Sequence, residues 1–251
     1  MREPQPDMTQ NPERPQRGRL YLIPVPLSEG DGITHLPAAV VERVRTLDHF
    51  VVEEAKTARR ILKLLGHPTP LARLNMATLN EHTPFADVDA LLQPLGAGYD
   101  LGLMSEAGCP AVADPGAQLV RLAHQQGYTV IPMVGPSSIL LALMASGLEG
   151  QRFAFHGYLP VDAAARRARI EQLEKRSRGT SETEILIETP YRNTALLGAL
   201  LETLSPATLL CVACDLTGAQ QQIRTATVAE WRSAPQILPQ RTPAVFLLLA
   251  A

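Results

Sequence analysis

The sequence predicts an α/β protein of two domains, and three observations carry that expectation. Over residues 19–148, short apolar runs of strand length alternate with segments of helical periodicity, the pattern of a parallel sheet covered on both faces. Near residues 152–160 the composition shifts towards Arg, Glu and Ala. A chain of 251 residues suits either one large domain or two of about 100–150 residues each. The expected division is a disordered tail over 1–17, an N-terminal α/β domain over 18–152 and a C-terminal α/β domain over 153–251.

The elements follow in order. The first 17 residues are polar and Pro-rich and lack the apolar core of a signal peptide, which points to a cytoplasmic protein. A strand is expected at 19–25 (RLYLIPV), then a loop with Pro26, Gly30 and Gly32, and a helix over 37–45. A second strand (50–53, FVVE) leads to a helix at 57–65 that Gly66 closes. A third strand is expected near 71–76 and a helix over 85–95. The strand 99–104 (YDLGLM) precedes the long connection SEAGCPAVADPG at 105–116. A helix to Gln126, a strand at 128–133 and the turn VGPSS (134–138) open an apolar helix at 139–146, with Gly147 as its C-cap. Beyond the composition change, the expected elements are a short strand within 153–160, an exposed helix over 161–179, strands at 184–188, 208–213 and 245–249, and a helix at 193–204.

Composition narrows the function. Hydrophobic residues make up 45% and aromatics only 4%, so aliphatic packing builds the cores. A net charge of −2 gives no global attraction to nucleic acid. No apolar run reaches the ~18 residues that a membrane span needs. Cys211 and Cys214 spell C-x-x-C, but within a strand-like run, where positions i and i+3 point to opposite faces. No second Cys/His pair offers zinc its remaining ligands, so no metal is expected and the two read as buried strand cysteines.

Three turns stand out: 24–30 (PVPLSEG), 105–116 and 134–138. Each follows a predicted strand and is rich in residues that let a ligand approach the backbone. Right-handed crossovers would bring all three to one sheet edge, where open α/β sheets bind ligands. There is no G-x-x-x-x-G-K-[ST], no G-x-G-x-x-G, and no Lys or Arg in the loops to neutralise phosphate. The loops are backbone-rich and slightly acidic, which suits a small ligand that carries no phosphate.

These segments resemble the tetrapyrrole methylase superfamily, and within it the ribosomal RNA small subunit methyltransferase I branch. The carriers are Val25-Pro26-Leu27, EEAKTARR (53–60), SEAGCPAVADPG (105–116), VGPSS (134–138), ASGL (145–148), FHGYLP (155–160) and ETPYR (188–192). Together they span nearly the whole chain after residue 18. This sequence departs from the branch at Glu54 and Glu106, where the branch has Asp. It departs again at Ala213-Cys214-Asp215-Leu216-Thr217-Gly218, where the branch has A-R-E-L-T-K, and its first loop lacks the branch's G-N.

The resemblance implies two α/β domains with S-adenosylmethionine in a cleft between them, in a homodimer. It implies cofactor contacts from Pro26, Ser105, Glu106, Ala107, Gly108, Val112, Gly135, Pro136, Ser137, Ser138, Glu188 and Leu216. The methyl acceptor would be ribosomal RNA, through a ribose 2′-hydroxyl, or else a tetrapyrrole or other small molecule. A cofactor-binding protein without turnover is a further reading. A ribose hydroxyl benefits from a base, and Glu54, Asp114 and His156 are the candidates near the loops. Each has a plain alternative: Glu54 paired with Arg59 or Arg60, Asp114 as a cap or turn former, His156 as a structural residue. The basic run Arg166, Arg167, Arg169, Lys175, Arg176 and Arg178 could meet RNA phosphates or form a solvated face paired with Glu171 and Glu174.

Overall fold

The computed structural model describes residues 17–28, 33–234, 238–239 and 241–251. The expected tail, Arg17 apart, and the loop glycines Gly30 and Gly32 lie outside the described residues. The chain forms two compact units, one of residues up to Pro24 with Ala38–Val134, the other of Val25–Pro37 with Gly135–Ala251.

The first unit runs β1 (Arg19–Ile23), α1 (Ala38–Val44), β2 (His49–Val52), α2 (Ala55–Leu64), β3 (Asn75–Thr78), α3 (Phe85–Val88), α4 (Gln93–Gly96), β4 (Leu101–Met104), α5 (Ala117–Gln125) and β5 (Thr129–Pro132). Its five strands are all parallel, in the order β3-β2-β4-β1-β5. The connections from β1 and β2 move one way across the sheet and those from β3 and β4 move the other way. Right-handed crossovers therefore put α1 and α2 on one face and α3–α5 on the other. On the latter face Val88, Leu92, Leu95, Leu119 and Ala123 pack against Leu20, Val51, Leu101 and Leu103.

Two expectations shift here. The third strand starts at Asn75, because Leu71–Arg73 forms a 3-10 turn. The helix expected over 85–95 is broken into α3, a 3-10 turn at Asp89–Leu92, and α4. Pro94 supplies the reason: it lacks an N–H, and its ring would clash with the carbonyl four residues earlier in a continuous helix.

The second unit runs α6 (Ser138–Ser146), β6 (Phe153–Phe155), α7 (Ala163–Thr180), β7 (Thr183–Glu188), α8 (Asn193–Thr203), β8 (Leu209–Cys214), β9 (Gln222–Thr227), α9 (Val228–Ser233) and β10 (Ala244–Leu249). Its sheet is mixed, in the order β6-β7-β10-β8-β9, with only β6 and β7 parallel. The sequence reading missed β9 and α9. β9 is a polar edge strand (QIRTAT) with little apolar signal.

Alternation along the strands builds two cores. Leu186, Leu210, Val212, Phe246 and Leu248 face α7, α8 and α9, where Trp231 is buried and donates from Nε1 to Leu210 O at 2.9 Å. Ile185, Cys211, Ala213, Val245 and Leu247 face the other way, against Ile139, Ala142 and Leu143 of α6. Fully burying one such side chain stabilises by roughly 1.5–3 kcal/mol. Cys214 lies in the first core and Cys211 in the second, both as free thiols. The three-residue spacing in a strand thus divides the C-x-x-C pair between opposite faces.

Candidate active site

The site begins at the carboxyl ends of three neighbouring strands. In the order β4-β1-β5, Ile23 pairs with Met104 and Leu22 with Pro132, so these strands end side by side. The three distinctive turns leave from these ends. The connection after β4 stays in the first unit, while those after β1 and β5 pass into the second.

The β4 connection is the most constrained. Gly108, Ala111, Ala113 and Gly116 all have positive φ, at 71°, 65°, 65° and 128°. Two of the four are alanines, whose Cβ makes that region cost roughly 1–2 kcal/mol each. Strain of this kind persists only where the surroundings enforce it, and it gathers at ligand sites. A turn closes with Val112 N–H donating to Cys109 O at 3.3 Å, and Val112 is exposed.

Carboxylates surround the start of this loop. Glu106 N–H donates to Glu53 Oε2 at 3.1 Å, and Thr57 Oγ1 donates to Glu106 Oε1 at 3.4 Å. Asp114 is half-buried, and its carboxyl is pushed up to about 6 by burial and then by the negative charge of Glu53. Burial also raises Glu53. The Ser105 hydroxyl offsets part of the Asp114 rise. Ser105 is only 4% exposed, and its Oγ meets no partner at full hydrogen-bond geometry among the described residues. Its partner is the Asp114 carboxylate, in a contact looser than a full hydrogen bond. Ala107 is exposed and Gly108 buried.

The other first-unit candidate has a local role. Glu54 is the N-cap of α2 and accepts from Thr57 N–H at 2.6 Å; the backbone N–H of Lys56 and then that of Thr57 draw its carboxyl below the usual range. Asp114 does not cap α5. That position belongs to Gly116, with no side-chain cap.

In the second unit, Pro26 is half-buried, and Leu27 beyond it packs against the α6 core. Gly135 leads to buried Pro136. Ser137 is the N-cap of α6, yet its side chain makes no capping bond, and Ser138 is the first helical residue. Glu188 is buried and takes Arg192 Nε and Nη2 at 3.0 and 2.7 Å, plus Thr189 N–H at 2.7 Å. Leu216 is buried in the α6 core, between Asp215 and Thr217, which both have positive φ. Asp215 Oδ2 accepts from Gln220 N–H at 2.7 Å, and a Cβ on Gly218 would lie 2.1 Å from Asp215 Oδ1.

His156 follows β6 and is bonded through both ring nitrogens. Nε2 meets the fully buried Glu184, and Arg169 Nη2 lies 3.2 Å from Nδ1. A guanidinium can only donate, so Nδ1 accepts and Nε2 carries the proton given to Glu184. The other Glu184 oxygen sits 3.3 Å from Arg176 Nε, as an ion pair without hydrogen-bond alignment. The α7 arginines are likewise occupied. Arg167 pairs with Glu171, Arg176 with Glu182, and Arg178 lies 3.8 Å from Glu174. Glu171 and Glu174, the acids expected beside this run, are thus among its partners.

Glu53 is the residue that sequence reasoning left out. Its signal was an acid at the carboxyl end of a strand. Its partnership with Glu106 depends on β2 lying beside β4, which the sequence does not display.

A parallel α/β sheet with long connections at three adjacent strand ends has the strand-end edge at which open α/β sheets bind small ligands. The profile of the Tetrapyrrole (Corrin/Porphyrin) Methylases matches residues 19–231, and the chain belongs to that family. It is 33% identical over 220 residues to a ribosomal RNA small subunit methyltransferase I from Mesorhizobium japonicum, covering 88% of this chain and 71% of that protein. A protein of the same name from Pseudomonas aeruginosa is 30% identical over 213 residues, covering 85% and 71%. In fold, the chain is similar to the methyltransferase CobJ, with a TM-score of 0.60 and 19% identity over 93% of this chain and 95% of that one. It is also similar to a uroporphyrin-III-C-methyltransferase from Thermus thermophilus, with a TM-score of 0.52 and 20% identity over 93% and 94%.

The protein is thus an S-adenosylmethionine-dependent methyltransferase. The residues around the β4 loop fit that cofactor. They offer the buried Ser105 hydroxyl and carboxylates suited to a cation.

Proposed function

We infer that the protein methylates RNA of the small ribosomal subunit at a ribose 2′-hydroxyl. The names of relatives at about 30% identity support the RNA substrate. The observation that carries the choice of acceptor atom is Asp114, a carboxyl pushed up to about 6 beside the strained β4 loop. A hydroxyl nucleophile needs a base whose pKa lies near the working pH. At pH 7 Asp114 is mostly ionised and able to take a proton, whereas Glu54 is engaged as a helix cap and both His156 nitrogens are bonded.

Bound S-adenosylmethionine supplies a methyl group on a sulfonium for in-line displacement. In this reading Ser105, Glu106, Ala107, Gly108 and Val112 of the first unit would hold it. Pro26, Gly135, Pro136, Ser137, Ser138, Glu188 and Leu216 would contribute from the second. Aligning the acceptor oxygen with the methyl group can supply roughly 7–11 kcal/mol of the barrier. Asp114 then accepts the hydroxyl proton. The same reading has the enzyme work as a cytoplasmic homodimer.

Methyl-labelled S-adenosylmethionine and undermethylated small ribosomal subunits provide the test. Label is expected in RNA, at a linkage resistant to alkali, because alkaline cleavage needs a free 2′-hydroxyl. Label in alkali-labile positions would refute the ribose assignment. Label confined to a small-molecule fraction would favour the second reading, a tetrapyrrole or other small acceptor. One observation speaks for that reading: at 215–218 the carboxylate of Asp215 turns onto its own loop and Gly218 carries no side chain, where the ribosomal branch has Glu and Lys.

A further inference from the structure

At the opposite ends of the first unit's strands lies a cavity of about 470 Å³. It opens beside His49, Asn75 and Leu101, the first residues of β2, β3 and β4. Pro94, at the helix break, is among its lining residues. The α3–α4 segment buries Val88, Leu92 and Leu95 against the sheet, while Ala90, Leu91, Gln93 and Ala97 line the cavity.

The lining has a definite chemistry. The floor is aliphatic, with Met76 and Leu91 among its members. The His49 and Tyr99 rings stack at 4.7 Å and 27° along one wall. Asn75 Nδ2 lies 3.3 Å from His49 Nε2, and Gln93 adds a second carboxamide at the rim. Among the described residues, no Lys, Arg, Asp or Glu lines the cavity. Its volume falls within the range of small-molecule sites, which are mostly apolar with a few convergent polar groups.

We propose that this cavity binds an uncharged planar heteroaromatic compound of purine-nucleoside size, at a site separate from the cofactor loops. A flat ring extends the His49–Tyr99 stack, an arrangement aromatic groups favour. The carboxamides of Asn75 and Gln93 present donors and acceptors to the ring edge. With no cation in the lining, a phosphate would be brought in unpaired, so the free nucleoside is preferred over the nucleotide.

The test uses full-length protein with 13C-methyl methionine, saturated with S-adenosylhomocysteine and titrated with guanosine. The Met76 methyl signal should shift saturably at millimolar guanosine, while Met104, beside the cofactor loops, stays still. Tyr99 is 56% exposed, so Tyr99→Ala should fold normally and weaken binding about tenfold. Ala97→Phe, which fills the cavity from its exposed rim, should abolish the shift. Guanosine monophosphate should bind more weakly than guanosine. An unmoved Met76 signal, a shift that survives both variants, or equal affinity for the monophosphate would each overturn the proposal. A shift at Met104 instead would place guanosine at the cofactor loops and equally overturn it. None of these outcomes depends on whether the protein methylates RNA.

Discussion

The β4 connection of the first unit and the His156–Glu184 cluster of the second are both rich in charge, yet they are built on opposite principles. Around Glu184 each charge has a counter-charge or a bonding partner: His156 and Arg169 on one side, Arg176 on the other. Around Asp114 the neighbouring charges are of like sign, the nearby Ser105 hydroxyl is only loosely bonded, and the backbone is strained. A polar cluster that completes itself stabilises the fold. One that is left incomplete awaits a partner, and the second pattern is what a binding and catalytic site requires.

Substitutions can break this contrast, and the largest effect belongs to Asp114. Asp114→Asn should lower the methyl-transfer rate about 10²–10⁴-fold. It should also raise stability at pH 7, by on the order of 1 kcal/mol after allowance for solvent screening of a half-exposed group. The sign follows from the raised pKa: the stabilisation from protonation is complete below the unfolded value of about 3.8 and is lost as pH rises through about 6. Single-turnover rates and urea titrations measure the two effects. A slower but less stable variant would mean that Asp114 is structural.

Glu184→Ala should do the reverse. Removing one partner of a buried pair costs about 3–5 kcal/mol, so the urea midpoint should fall while cofactor affinity in the folded fraction holds. Next comes pH. Methyl transfer by the native protein should decline as pH drops below about 6, with the profile of Asp114→Asn flat over the same range. A native profile flat to pH 5 would remove Asp114 from the role of base. Gly116→Ala, at φ 128° with a new Cβ 2.9 Å from Leu103 Cδ2, should cost roughly 1–3 kcal/mol. The smallest effect is expected from Ala113→Gly. Relief of the left-handed strain, roughly 1–2 kcal/mol, is partly offset by the extra freedom that glycine gives the unfolded chain, about 0.5–1 kcal/mol, leaving a net stabilisation of about 0.5–1 kcal/mol. Calorimetric midpoints would order the two glycine-related variants.

Much of this was readable from local chemistry. Gly and Pro clustered at the strand ends marked the three turns, strand periodicity divided Cys211 from Cys214, and strand–helix alternation announced the parallel sheet. What stayed hidden depends on distant partners. Glu53 meets Glu106 only because β2 lies beside β4, and Glu184 reaches His156 because β6 pairs with β7. Edge strand β9 lacks an apolar face to betray it. The helix break at Pro94 was legible in principle, since one residue enforces it, whereas the cavity that Pro94 helps to line was announced by no motif.

The two thiols of β8 give the second unit a pair of native reporters. Cys211 is covered by α6, and Cys214 by the layer of α7, α8 and α9. A thiol reagent can reach one only when α6 lifts away, and the other only when the opposite layer opens. Site-resolved labelling rates would therefore time the loosening of each side of a single sheet, without introducing any probe.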